Sequence, residues 1–281
     1  MLIFKSIYDL QLQLKEYISN GNSIGFVPTM GALHLGHISL INECNTNNDI
    51  SICSIFINPT QFNNSSDLDS YPRTTEEDLK LLKQANCDVV FMPSVEIMYP
   101  NNEAEINFNF GSLELVMEGK DRPGHFQGVG TIVKKLFDII KPHNAYFGKK
   151  DYQQLLIIKD LVKQYSLTPE IIGCEIIREN DGLAMSSRNM RLSKEQRAVA
   201  PHIRKTMIWA KNNINNYSPS ELTLEVEKRI NENPLMTIVY FEISEANSLA
   251  KCKQWNGSKP YIAFIVVAMG DIRLIDNIEL F

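Results

Sequence analysis

The chain has 281 residues, 44% hydrophobic and 22% charged, the make-up of an ordinary globular protein with room for one large domain or two modest ones. Its formal net charge of −5 argues against a broad nucleic-acid surface, while leaving room for a local basic pocket that holds one small anion. Five cysteines (Cys44, Cys53, Cys87, Cys174 and Cys252) form an odd, widely spaced set without a C-x-x-C pair, which points to buried thiols in a reducing compartment.

The N-terminus lacks the basic segment, apolar core and cleavage site of a signal peptide, and the apolar run Tyr261 to Met269 is too short to span a bilayer. A cytoplasmic protein without membrane attachment is expected. In chain order, Ile24–Val27 reads as a buried strand and Leu35 to Glu43 as the start of a helix. Ile50–Ile57 reads as a second buried strand, either core or interface, Thr75–Gln84 as a helix, and Asp88–Phe91 as a third strand. Val129–Ile140 is an amphipathic helix, Ala145–Phe147 a very short strand, Tyr152–Tyr165 a helix and Ile171–Ile177 a strand. This alternation predicts a parallel sheet with helices on both faces, and such sheets bind ligands at the carboxyl ends of their strands. After residue 177 the pattern changes. Ser193–Asn213 and Pro219–Asn233 read as helices, the second opened by Ser218-Pro219. Thr237–Ser244, Tyr261–Ala268 and Ile272–Ile275 read as strands, with Gly270-Asp271 as a hairpin turn. The fold class is therefore α/β, a parallel-sheet domain over residues 1–177 followed by a smaller α+β domain over 178–281.

Four loops that follow predicted strands carry the polar chemistry. In Pro28–His37, an H-x-G-H pattern places His34 and His37 at a helix N-terminus, where unpaired N–H groups attract phosphate. Gly31 and Gly36 would let a ligand approach the backbone closely. H-E-x-x-H is absent and no third ligand lies nearby, so a nucleotide site is favoured over zinc. Asn58-Pro59-Thr60-Gln61-Phe62 offers two amides for a small polar ligand, and Gln154 is placed to complete that pocket. In Lys149-Lys150-Asp151, two lysines precede a helix whose N-terminus is already positive. A phosphate would resolve that conflict for Lys150, Lys149 is expected to point into water, and Asp151 is a candidate for the helix cap or a ribose hydroxyl. Met185-Ser186-Ser187-Arg188-Asn189 suits polyphosphate oxygens or a helix-capping turn equally. Arg122 is a candidate partner for a carboxylate. Among Glu76, Glu77 and Asp78, either helix capping or a water-mediated hold on Mg²⁺ is expected.

Together the segments PTMGALHLGH, SIFINPTQF, DLDSYPRT, RPGHFQGV, YFGKKDYQQL and RENDGLAMSSRN resemble the pantothenate synthetase (pantoate–β-alanine ligase) family. That family lies in the nucleotidyltransferase branch containing the class I aminoacyl-tRNA synthetases. H-x-G-H marks only the superfamily, whereas the asparagine, lysine and serine motifs mark this enzyme family. The resemblance implies a Rossmann-like first domain and a C-terminal lid. It assigns His34, His37, Lys150, Ser186, Ser187 and Arg188 to ATP phosphates and developing charge. Adenosine would lie against Gly36, Gly148, Asp151 and Met185, with Ile177 near the base and Met30 and Gly31 beside the nucleotide. Pantoate would meet Asn58, Gln61, Gln154 and Met30, and Glu77 would stand near Mg²⁺. The implied reaction joins pantoate and β-alanine at the expense of ATP through a pantoyl adenylate, in a homodimer that binds no nucleic acid. Rival readings are a nucleotidyltransferase acting on a phosphate and an RNA-binding synthetase paralogue; the second conflicts with the acidic charge balance.

Overall fold

The computed structural model describes residues 1–63, 65–100 and 106–281. Its first part runs β1 (Leu2–Phe4), α1 (Ile7–Ser19), β2 (Ile24–Thr29), α2 (Leu35–Asn47) and β3 (Ile50–Ile55). It continues through α3 (Ser65–Asp69), α4 (Thr75–Gln84), β4 (Val89–Phe91), α5 (Val95–Met98), α6 (Met117–Asp121) and α7 (His125–Ile140). Next come β5 (Asn144–Gly148), α8 (Tyr152–Gln164) and β6 (Glu170–Cys174). The remainder holds α9 (Lys194–Val199), α10 (His202–Asn212), α11 (Pro219–Asn231), β7 (Thr237–Glu245), β8 (Tyr261–Met269) and β9 (Ile272–Glu279).

Strands β1 to β6 form one parallel sheet in the order β1-β4-β3-β2-β5-β6. Alternate residues of each strand point to opposite faces. Phe26, Ile52, Val89 and Ala145 pack in the cluster that holds Leu10 and Leu14 of α1, Val129, Val133 and Leu136 of α7, and Leu155 and Ile158 of α8. Their neighbours Val27, Cys53, Val90 and Tyr146 pack with Leu40, Ile41 and Cys44 of α2 and Leu82 of α4. Burial on both faces is why these strands read as continuous apolar runs. Each fully buried large aliphatic side chain contributes about 1.5–3 kcal/mol. Ile52 and Cys53 are wholly buried here, so β3 belongs to the core.

A second, antiparallel sheet has the order β7-β8-β9. One face packs on α10 and α11 through Ile203, Met207, Leu222, Val226 and Ile230. From the other face Ile262 and Phe264 meet Met117 of α6, with Tyr152 and Leu156 of α8 against the same cluster. Its sandwiched strand β8 is consequently the most apolar stretch of the chain. The helix expected over Ser193–Asn213 is in fact two, α9 and α10, because Pro201 supplies no backbone N–H and its ring crowds the preceding turn. Strand β9 runs to Glu279, beyond the expected Ile275, and α7 begins at His125, before Val129. Ser218 caps α11 as expected, its hydroxyl accepting the Glu221 N–H while the Glu221 carboxylate accepts the Ser218 N–H. All five cysteines are free thiols. Among the described residues no helix is long and apolar enough to cross a membrane.

Candidate active site

Strand β2 lies between β3 and β5, so chain connections leave their carboxyl ends in opposite directions and open a crevice between them. The loop after β2 carries two consecutive left-handed residues, Gly31 at φ 76° and Ala32 at φ 49°. For alanine that conformation costs about 1–2 kcal/mol. Buried Asp78 offsets it: its carboxylate accepts the Ala32 N–H at 2.9 Å, the Leu33 N–H at 2.7 Å and the Thr74 hydroxyl at 3.1 Å. A Cβ on Gly31 would stand 3.0 Å from the same carboxylate. Glycine is needed there for packing against Asp78, and Gly31 itself is not among the residues that line the cleft. At Gly36 the group that comes close is likewise the protein's own, the His34 ring at 2.8 Å from a built Cβ.

His34 is the N-cap of α2, its Nδ1 accepting the Gly36 N–H at 3.1 Å, while His37 Nδ1 accepts the His34 N–H at 3.3 Å. Both Nδ1 atoms are therefore acceptors, so each neutral imidazole carries its proton on Nε2. Among the described residues neither Nε2 has a protein partner, and both rings line the cleft, 4.1 Å apart between centroids. Burial, and then the nearby Lys150 ammonium, pull His34 down to about 4. Burial, His34 and Lys150 hold His37 well below its usual range. At neutral pH the helix end thus presents two neutral N–H donors.

Residues Lys149–Asp151 form a single 3₁₀ turn between β5 and α8. Lys149 pairs with Glu175, just after β6, correcting the expectation that it points into water and offsetting its charge. Lys150 faces the cleft, 3.7 Å from the Asp151 carboxylate. Asp151 occupies the N-cap of α8 without a capping hydrogen bond, which leaves its oxygens for another partner. After β6 the chain folds back on itself, with Met185 N–H donating to Ile177 at 3.0 Å and Arg178 bridging Ala184. Ser186 caps the next turn by accepting the Arg188 N–H at 3.3 Å. Ser187 donates its hydroxyl proton to the Ala32 carbonyl at 2.9 Å. That bond ties this loop to the histidine loop and leaves Ser187 without a hydroxyl proton for phosphate, contrary to the role expected of it. Arg188 is oriented by Asp67 at 2.9 Å, which also receives Arg191 at 3.1 Å.

Asn58 is internally saturated. Its nitrogen donates to Gln61 Oε1 and the Gly128 carbonyl, both at 3.1 Å. Its oxygen accepts Thr60 at 3.1 Å and Tyr99 at 2.6 Å. No capacity remains for a ligand, so Asn58 orients Gln61, whose amide nitrogen rests 3.0 Å from Met30 Sδ at the cleft wall. Gln154 stands on the first turn of α8, lining the same cleft. Every nucleotide, pantoate or metal residue expected above lines this cleft except Gly31, Glu76, Glu77 and Asp78. Glu77 is exposed on α4. Among the described residues no three His, Cys, Asp or Glu side chains gather as a metal site.

A second cavity shares Lys150, Asp151, Gln154, Ser186 and Arg188 with the first and opens toward β7–β9. Arg122 lies there, donating to His125 Nε2 at 3.1 Å and to the Gln61 carbonyl at 3.3 Å. His125 Nδ1 donates to the same carbonyl at 2.8 Å, so this ring too is neutral, and burial and Arg122 hold it at about 4. Glu118, on the far wall, receives Arg273 at 2.6 Å and Tyr240 at 3.3 Å. Sequence reasoning missed Asp78 as the loop's anchor, Tyr99 behind Asn58, and this wall from the second sheet. Only Asp78 had a local signal, being the apolar-side member of an acidic first turn.

A family model described as pantoate-beta-alanine ligase matches residues 2–279. A pantothenate synthetase of Flavobacterium psychrophilum is 48% identical over 281 residues, all of both chains. The crystal structure of pantothenate synthetase from Thermus thermophilus matches with a TM-score of 0.92 at 35% identity, again over the whole of both chains. That of a Francisella tularensis pantoate-beta-alanine ligase, complexed with beta-gamma ATP and beta-alanine, matches at a TM-score of 0.81 and 36% identity, covering 100% of this chain and 98% of that one.

Proposed function

The chain belongs to the pantoate–β-alanine ligase family, and we propose that it joins pantoate to β-alanine in two steps at one cleft. In the first, a pantoate carboxylate oxygen attacks the α-phosphorus of ATP, and pyrophosphate leaves. In the second, the β-alanine amine attacks the acyl carbon of the pantoyl adenylate, the bond to the phosphate oxygen breaks, and AMP departs with that oxygen. The observation that carries this reading is the pair of neutral imidazoles, each with its Nε2–H unspent and lining the cleft beside Lys150. Donors fixed before the reaction begins stabilise charge that grows on phosphate oxygens, without reorganisation.

His34, His37, Lys150, Ser186 and Arg188 are assigned to the phosphates, with Ser187 fixing the loop that carries them. Adenosine lies against Gly36, Gly148, Asp151, Ile177 and Met185. Gln61 and Gln154 read the pantoate hydroxyls, and Met30 closes that end. The carboxylate and the polyphosphate repel one another, so cations and positioning supply more of the acceleration than a base would. An Mg²⁺ ion carried by the nucleotide would be held chiefly by phosphates and water and would need no dedicated cage of side chains, with Asp151 the carboxylate beside Lys150 in the cleft. When bound it would neutralise phosphate charge. The second cavity gives the amine a route to the acyl carbon. Residues 178–281 act as a lid, a division supported by the separate second core and by the position of the Ser186–Arg188 loop next to the boundary. A homodimer working in the cytoplasm rests on the family resemblance.

The test follows the oxygen. Pantoate labelled with ¹⁸O in its carboxylate should deliver label to AMP during pantothenate formation. Unlabelled AMP would contradict the adenylate.

A further inference from the structure

We propose that Asn277, on β9 of the second sheet, is a positioning residue for the nucleotide end of the site, acting through the backbone of the Lys149–Asp151 turn. The proposal rests on the role given to Lys150 above. The Asn277 carboxamide nitrogen donates to the carbonyl of Lys149 at 2.8 Å and to that of Lys150 at 3.0 Å. Both of its protons are thereby used on one turn, from a residue more than a hundred positions away in sequence and only 6% exposed.

The turn needs such a hold. It is three residues long, and among the described residues the Lys150 ammonium has one weak ion-pair partner, Asp151 at 3.7 Å. A lysine places its charge at the end of a flexible four-carbon stem, so the backbone position decides where the ammonium can reach. The neighbouring residue holds the other phosphate-facing segment. Asp276 takes Arg178 in a two-point ion pair at 2.7 and 2.9 Å, at the root of the loop that ends in Ser186 and Arg188. Its Oδ1 also accepts the Asn277 N–H at 2.8 Å, locking the two clamps together. Two adjacent residues of β9 thus set the spacing between Lys150 and the serine–arginine loop.

The experiment is pantoate-dependent ATP–pyrophosphate exchange with full-length protein and Mg²⁺, comparing the parent with Asn277→Asp and Asn277→Gln. The aspartate has the same shape but sets a carboxylate against two carbonyl oxygens. The glutamine keeps both donors on a longer stem. Displacing a catalytic group by about 1 Å costs roughly a hundredfold. Asn277→Asp should therefore lower kcat by about tenfold to a hundredfold with the pantoate KM within about twofold of the parent, and Asn277→Gln should recover part of that loss. Parental kcat in Asn277→Asp would overturn the proposal, as would a loss fully accounted for by the fraction of unfolded protein. Should Asn277→Asp fail to fold, Asn277→Ala, which removes the donors without adding charge, is read by the same criteria. Absence of exchange in the parent would instead defeat the functional reading, and this proposal with it.

Discussion

Substituting Gly36 by alanine separates catalysis from stability. The backbone of Gly36 lies outside the left-handed region, so alanine is tolerated conformationally. Its Cβ would however stand 2.8 Å from His34 Cε1 and 2.9 Å from Nδ1, distances that side chains do not sustain. The imidazole must swing away, giving up the bond it accepts from the residue 36 N–H. Losing that cap costs about 1 kcal/mol. Alanine in a helix gains up to about 1 kcal/mol over glycine, so the two stability effects nearly cancel. Catalysis has no such compensation. Removing one preorganised donor from developing charge costs about 3 kcal/mol, roughly two orders of magnitude in rate. Gly36→Ala should accordingly show a melting temperature close to the parent's and pantoate-dependent exchange about a hundredfold slower. Exchange within about threefold of the parent, in folded protein, would refute the role of His34 Nε2 as a fixed donor.

His37→Ala and Lys150→Ala should each slow adenylate formation by about two orders of magnitude with little change in stability; normal pyrophosphate release from both would remove them from the phosphate site. Gln61→Ala should raise the pantoate KM more than it lowers kcat, and an unchanged pantoate titration would count against that pocket. Acid stability should report on His125, whose charging is opposed by burial and by the Arg122 guanidinium. The unfolded chain takes up this proton near pH 6.5 and the folded one only near pH 4, so stability falls as pH drops through that window, by about 3 kcal/mol at its end. Urea unfolding at pH 7 and pH 4 should give a smaller difference for His125→Asn than for the parent, and equal differences would refute the assignment.

The legible parts of this chain were those whose physics is local. Strands β2 to β5 announced themselves because both faces are buried, so Ile24, Phe26, Ile52 and Val90 stand in unbroken apolar runs. The H-x-G-H, Lys150 and Ser186–Arg188 loops were legible because each concentrates polar groups just after a strand. The short edge strand β1 and helix α1 escaped, although Ser6, Leu10 and Leu14 form a cap and one apolar stripe, because three residues of strand carry no periodicity. Pro201 was in plain view, yet the amphipathic pattern on either side of it hid the break. What local pattern does not encode is long-range polar pairing. The bonds of Asp78 to the histidine loop, of Ser187 to Ala32, and of Asn277 to the lysine turn join residues 45 to 155 positions apart. Bonds and close contacts inside the protein likewise engage three residues expected at the site. Asn58 and Ser187 spend their donors inside the protein, and Gly31 yields space to Asp78.

In the proposed reaction pantoate alone, without the amine, is activated by ATP at this cleft. The decisive experiment is ATP–pyrophosphate exchange with pantoate present and β-alanine absent. Exchange should depend on pantoate and saturate with it. No exchange, in protein that is folded and binds ATP, would contradict the acyl-adenylate step.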